Sequence, residues 1–150
     1  MEIDQLFSEG EQMSFIQVSD KERQQFGELS SLGYVFNWKS KSSSNTLLTA
    51  VISNGDIAGL IEYERRPAEL YNYIWLVEVA SLYKGSTVAG KLLAYVGRDS
   101  ISQGFDGFVL FEPKTKLYNY FIERYGAKPS AGKMLYFDTV TTQHLISMYL

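Results

Sequence analysis

The residues best suited to chemistry lie between Ile74 and Val96. Tyr73 to Ala80 is apolar except for Glu78 and reads as a central strand covered on both faces. A glycine-containing turn, Lys84-Gly-Ser-Thr-Val-Ala-Gly90, follows and leads into a helix. Such a turn presents several backbone N–H groups at a helix N-terminus, where the macrodipole is positive, so it can take an anion or a phosphate. Lys84 adds a cation at its mouth. The same residues suit a plain strand-to-helix connection equally well. Gly85 to Lys91 also matches the G-x-x-x-x-G-K spacing of a nucleotide-binding loop. Leu92, however, stands where Ser or Thr would hold magnesium, so NTP hydrolysis is not expected.

Two carboxylates are candidates for proton transfer. Glu78 is a lone charge in an apolar strand, and burial would raise its pKa toward that of a base. Its other reading is a side chain that points to an edge or pairs with a basic residue. Glu112, just after the next strand, carries the same two readings. Glu62, Glu64, Arg65 and Arg66 read as a solvated strand-end cluster that could line a cleft. His144 reads as a surface or hydrogen-bonded histidine.

Composition narrows the rest. The 150 residues suit one domain, with residues 1–12 as an N-terminal extension and 139–150 as a C-terminal segment. The absence of Cys removes disulfides, a thiol nucleophile and thiolate metal sites, and a single His removes multi-His sites. No metal is therefore expected. A net charge of -3 gives no footprint for nucleic acid. No apolar run is long enough to span a membrane, and the acidic N-terminus resembles no signal segment, so a cytoplasmic location is expected. Aromatic residues make up 15% of the chain. Most should build core, with a surplus that could form an acceptor pocket or a homodimer surface.

The elements that must position these residues follow from local pattern. Ser14 to Val18 is β-favouring. Ser19 and Glu22 fit a capping box for a helix over about 20–31 that Gly33 would end. Thr46 to Ile52 and Ile57 to Tyr63 flank Asn54-Gly55, a strong hairpin signal. Beyond the Gly turn, Val88, Leu92, Tyr95, Val96 and Ile101 share one helix face. Gly107 to Phe111 reads as a buried strand. Thr115 can cap a helix bearing Leu117, Tyr118, Phe121, Ile122 and Tyr125. Met134 to Phe137 is a last strand, and residues 139–149 suggest a helix with a weak stripe of Val140, Leu145 and Met148. The fold class is α/β with a mixed sheet: an antiparallel meander, then β-α-β-α-β, whose alternation with helices suggests parallel pairing.

Val79-Ala-Ser-Leu-Tyr-Lys-Gly-Ser-Thr-Val-Ala-Gly-Lys-Leu-Leu93 resembles motif A of the GNAT superfamily of N-acetyltransferases, V-x-P-x-(Y/F)-(R/Q)-x-x-G-x-(G/A)-x-x-L-L. Val79, Tyr83, Ala89, Leu92 and Leu93 match. Ser81 replaces Pro, Lys84 replaces Arg or Gln, and Thr87 replaces the first Gly. Tyr125-Gly-Ala127 is similar to the family's later "lGF" segment. The element order agrees from residue 14 to about 137.

The resemblance implies an acetyl-CoA or other acyl-CoA cosubstrate and a small-molecule or peptide amine acceptor. The strand ending at Ala80 would splay from the strand at 107–111. Pantetheine would pair with main-chain groups near Val79 and Ser81. The amides of Lys84, Gly85, Ser86, Thr87, Val88 and Ala89 would hold the pyrophosphate, with Thr115 in a cofactor-contacting position. An N–H near Val79 would face the oxyanion, and Glu78 or Glu112 would take the amine proton. Ile122 occupies the family's usual general-acid Tyr position, so Tyr118, one helical turn earlier, becomes the candidate acid. An impaired acyl-CoA-binding or interaction module is the alternative.

Overall fold

Seven strands pair into one mixed sheet in the order β1-β2-β3-β4-β5-β7-β6, in a computed structural model that describes residues 13–150. The expected extension, residues 1–12, lies outside the described residues. The strands are β1 (Ser14–Val18), β2 (Thr46–Ser53), β3 (Asp56–Arg66), β4 (Tyr71–Val79), β5 (Val109–Phe111), β6 (Lys128–Pro129) and β7 (Leu135–Phe137). The helices are α1 (Asp20–Gln24), α2 (Val88–Ser102), α3 (Tyr118–Tyr125) and α4 (Thr139–Tyr149). Strands β1 to β4 form the expected meander and β4 and β5 run parallel as expected, but β7 is antiparallel to β5, because the chain returns to that edge through the β6–β7 hairpin instead of a helical crossover.

Local chemistry explains the joints. Asn54 and Gly55 both have positive φ, 51° and 81°, as a tight hairpin with the right twist requires. The capping box forms: Ser19 Oγ accepts from Glu22 N, and Glu22 Oε1 accepts from Ser19 N. The helix it opens is shorter than expected and stops at Gln24. Within it Arg23 is buried, and its guanidinium reaches Glu62, 3.0 Å away. A helical turn at Ser30–Leu32 then ends at Gly33 with φ 95°.

Two apolar layers cover the sheet. On the helical face, α2, α3 and α4 bury Val51, Ile61, Tyr63, Ile74, Val88, Leu92, Leu93, Phe111 and Leu135. On the loop face, residues 26–38 bury Tyr34, Trp38, Leu48, Ala50 and Leu60. Helix α2 lies very close to β3, because a Cβ on Gly59 would sit 2.6 Å from Val88 Cγ1. The expected α2 face holds at Val88, Leu92 and Val96, but Ile101 is exposed.

Several further expectations are corrected. Gly107 is not in β5, because its φ of 85° is left-handed. Neither the turn at Thr115–Leu117 nor α3 has a side-chain cap, so Thr115 does not cap. In α4, Val140 and Met148 face outward, while Thr142, Leu145 and Tyr149 are buried. Thr142 fits notches over Gly97 and Gly107 and donates to the Gly107 carbonyl at 2.6 Å. The two-residue β6 was not expected at all.

Candidate active site

The register of β3 against β4 steps by one residue on β3, Glu62 to Tyr63, and by two on β4, Leu76 to Ile74. Trp75 is therefore an extra residue, a β-bulge in β4. The last β4–β5 pair is Ile74 with Phe111, directly before that bulge. From Trp75 to Val79, β4 continues along β3 with no β5 partner among the described residues. β4 thus runs on past the last β5 pair, and the unpaired gap beside it, the wedge, lies where the resemblance implied that the two strands splay.

Main-chain direction along the wedge follows from alternation. Ala80 N donates to Ala58 O at 2.9 Å, toward β3. N–H and C=O groups alternate sides along a strand, so those of Val79 and Val77 point into the wedge. These are the groups that could pair with an amide-bearing arm and face a developing oxyanion.

The turn beyond β4 is only partly free. Lys84 N donates to Ser81 O, Ser86 N to Tyr83 O, and Val88 N to Ser86 Oγ. Ser86 Oγ in turn donates to Tyr83 O. These bonds fold the turn and remove three of the six expected amides from ligand duty. The N–H groups of Gly85, Thr87 and Ala89 have no hydrogen bond to any described residue and remain available at the start of α2. Gly85 has φ 81°, so glycine is needed there. Thr87 has φ -85° and ψ 1°, which any L residue adopts, so the motif position tolerates its side chain. Lys84 is exposed beside this turn. Ser81 packs against Gly33, where a Cβ would lie 1.9 Å from Ser81 Oγ.

The nucleotide-binding-loop reading is not supported by this geometry. Lys91 Nζ donates to the Tyr149 carbonyl at 3.0 Å, and Leu92 is fully buried. Gly90 serves packing: a Cβ there would lie 2.5 Å from the Tyr149 ring.

The expected acids and bases separate in space. Tyr118 starts α3, is half-buried, and lines a cavity of about 340 Å³ with Pro113, Thr115 and Asn119 just past the end of β5. Ile122 is partly buried and packs against the core. Glu78 lies on the loop face, opposite α2. Its carboxylate accepts from Val35 N at 2.7 Å, Phe36 N at 3.3 Å and Trp38 Nε1 at 2.7 Å. Those donors tie residues 35–38 to the wedge wall. Burial, with the nearby Glu78 charge, pushes the Tyr34 hydroxyl well above its usual pKa.

Glu112 is exposed at the wedge mouth and has no ion-pair partner among the described residues. Burial, together with the charge of Glu112, raises the pKa of Tyr73. Around that mouth stand Arg66 and Glu64, from the cluster expected to line a cleft, together with Tyr73 and Lys114, which the sequence did not single out. Trp75 packs edge-on to Tyr73 at 5.1 Å and donates to Glu64 at 2.9 Å. Arg66 lies 4.2 Å over the Tyr73 ring. Lys114 lies 4.8 Å over Phe36, so the 35–38 loop reaches the segment after β5. No sequence signal marks a bulge at Trp75.

The strand-end charge cluster is not uniformly solvated. Glu62 is fully buried and accepts from Arg23, Ser42 and Thr46, while Arg65 is bidentate to Asp99 at 3.0 and 2.7 Å. Desolvation pushes the Glu62 carboxyl up, but the bonds from Ser42, Arg23 and Thr46 outweigh it and hold the pKa low. His144 is exposed.

No known family model matches the chain. No curated protein matches it either. Solved structures do. A GNAT-family acetyltransferase from Staphylococcus aureus Mu50 superposes with TM-score 0.60 at 15% identity, over 85% of this chain and 99% of that one. AtaTR bound with AcCoA gives TM-score 0.63 at 15% identity, over 90% and 98%. Mutant forms of the spermidine/spermine N-acetyltransferase SpeG from Vibrio cholerae give 0.63 at 11% identity, over 89% and 98%. Together with the bulged β4, its wedge and the turn before α2, these similarities show that the chain has the fold of the GNAT acetyltransferases.

Proposed function

We propose that the protein is an acyl-CoA-dependent N-acyltransferase, with acetyl-CoA as the donor and a primary amine as the acceptor. The wedge beyond Ile74 and Phe111 carries this reading, because it leaves β4 main-chain groups free beside a turn with free amides. The thioester arm would pair with Val77 and Val79, and the pyrophosphate would rest on the N–H groups of Gly85, Thr87 and Ala89 with Lys84 nearby. An N–H on the wedge edge of β4 would stabilise the tetrahedral oxyanion.

The acceptor would approach from the loop face, between Phe36 and the Tyr73–Trp75 pair. Glu112 is the carboxylate free to take the ammonium proton, directly or through water. Glu78 already serves three donors and acts as a positioning residue. Tyr118 would return a proton to the departing thiolate. Calorimetry with acetyl-CoA, followed by free-thiol release across an amine panel, tests the proposal. No binding at millimolar acetyl-CoA overturns it.

Ile122, an apolar side chain packed against the core where the family usually has the general-acid Tyr, favours a second reading, an acyl-CoA-binding module without turnover. Binding with no thiol release, and no change on Tyr118→Phe or Glu112→Gln, would select that reading.

A further inference from the structure

A cavity of about 540 Å³ opens on the loop face at the opposite end of β4 and β5 from the wedge. It lies between the β3–β4 turn, the α2–β5 loop and β7. Tyr71 is four residues before the bulge at Trp75, about 13 Å along an extended strand. The cavity adjoins the acceptor side of the proposed site at Tyr73, which pairs with the lining residue Leu110, but Glu112, Tyr118, Val77 and Val79 are not among its walls, so a ligand could occupy it whether or not the protein transfers acyl groups.

Its walls are aromatic: Tyr71, Phe105, Phe108 and Tyr136, with Phe108 and Tyr136 stacked at 6.4 Å. Two carboxylates, Glu69 and Asp106, also line it, and no Lys or Arg does. Neither carboxylate has an ion-pair partner among the described residues. The neighbouring cations are committed elsewhere. Arg66 touches the Tyr71 side chain at the cavity's edge, but its guanidinium sits over Tyr73 and Trp75 and reaches Glu64 at 3.6 Å, and Lys128 pairs with Asp138.

The rim is also strained. Leu70 has φ 65°, a left-handed conformation that a Leu rarely adopts, and it remains 60% exposed while lining the cavity. Strain of that kind persists where surrounding structure imposes it, and it concentrates at ligand sites. Here it holds an apolar side chain open at the rim.

We infer that this cavity is a second ligand site, selective for an organic ammonium ion with an apolar body. Aromatic faces attract such a cation through the ring quadrupole, and the two free carboxylates add charge complementarity. The volume falls within the range of small-molecule sites.

Benzyltrimethylammonium is the probe, because it has no N–H and cannot be an acceptor. Benzyl alcohol and benzoate supply a similar body with other charges. Calorimetry on the full chain should show saturable one-to-one binding of the ammonium, about tenfold or more tighter than either control. Glu69→Gln combined with Asp106→Asn should remove that preference, and Asn suits the left-handed φ at position 106. Glu112→Gln should leave it intact. Equal binding of all three probes, no saturable binding, or loss only with Glu112→Gln overturns the inference. So does a dimer in sedimentation that Tyr136→Ala splits, because a second copy would then occupy the face.

Discussion

The Glu78 carboxylate accepts the Val35 N–H at 2.7 Å and the Trp38 indole N–H at 2.7 Å, joining the wedge strand to a loop some forty residues earlier in the chain. A group so occupied holds the loop in place and is poorly placed to shuttle protons. Glu78→Gln puts an NH2 against N–H donors and should cost about 1–3 kcal/mol of stability. Acceptor KM should rise, while the shape of the kcat/KM–pH profile stays that of the parent. A denaturant titration and the pH profile check this. If the acidic limb disappears in Glu78→Gln, the residue is the base instead.

The turn before α2 makes a sharper contrast. Thr87→Gly should leave acetyl-CoA affinity within about threefold, because Thr87 already has an ordinary φ and only its N–H is needed. Gly85→Ala meets no steric neighbour but must adopt φ 81°. That costs roughly 1–2 kcal/mol and should weaken acetyl-CoA binding about tenfold as the turn relaxes. Calorimetry on both variants decides, and equal losses would show that the turn does not bind through its backbone.

Helix α4 is held to α2 by the closeness of Gly90 to Tyr149. Gly90→Ala places a Cβ against the ring and should destabilise by about 1–3 kcal/mol despite the better helix propensity of Ala. Tyr149→Leu should recover part of that loss in the double variant. Thermal melts of the two single variants and the double variant test the coupling, and strict additivity would disprove the contact.

Features set by neighbouring residues were legible in the sequence. Ser19 with Glu22, and Asn54 with Gly55, need only short-range chemistry, and both formed as read. The antiparallel meander and the parallel β4–β5 pair were legible from local pattern, and the motif between Val79 and Leu93 implied the wedge; the antiparallel β7 and the short β6 were not legible. Features set by distant partners were not. Nothing near Arg23 shows that it is buried against Glu62, so the sequence pattern places Glu62 in a solvated cluster instead. The buried face of α4 is chosen by glycine notches on α2 and the α2–β5 loop, which admit Thr142 and turn Val140 out. The bulge at Trp75 exists only as a mismatch between two strands.

Acid should weaken the fold through two carboxylates in particular. Asp138 caps α4 by accepting Thr141 N at 2.9 Å; its bond from Lys128, reinforced by that cap, lowers its pKa to about 2. The Glu62 pKa is also lowered. Both groups bind a proton less readily in the folded chain than in the unfolded chain. Their contributions are therefore complete above the ordinary carboxylate pKa of about 4 and fade as pH falls through the lowered values. The urea midpoint should hold from pH 7 to about 5 and then drop. Asp138→Asn keeps a good cap residue but loses the Lys128 ion pair, at a cost of at most about 1 kcal/mol near neutrality. Its decline below pH 4 should be shallower than that of the parent. Glu62→Gln strands the buried Arg23 charge and should cost about 3–5 kcal/mol at pH 7. Parallel acid limbs for the parent and Asp138→Asn would show that Asp138 carries none of the pH dependence.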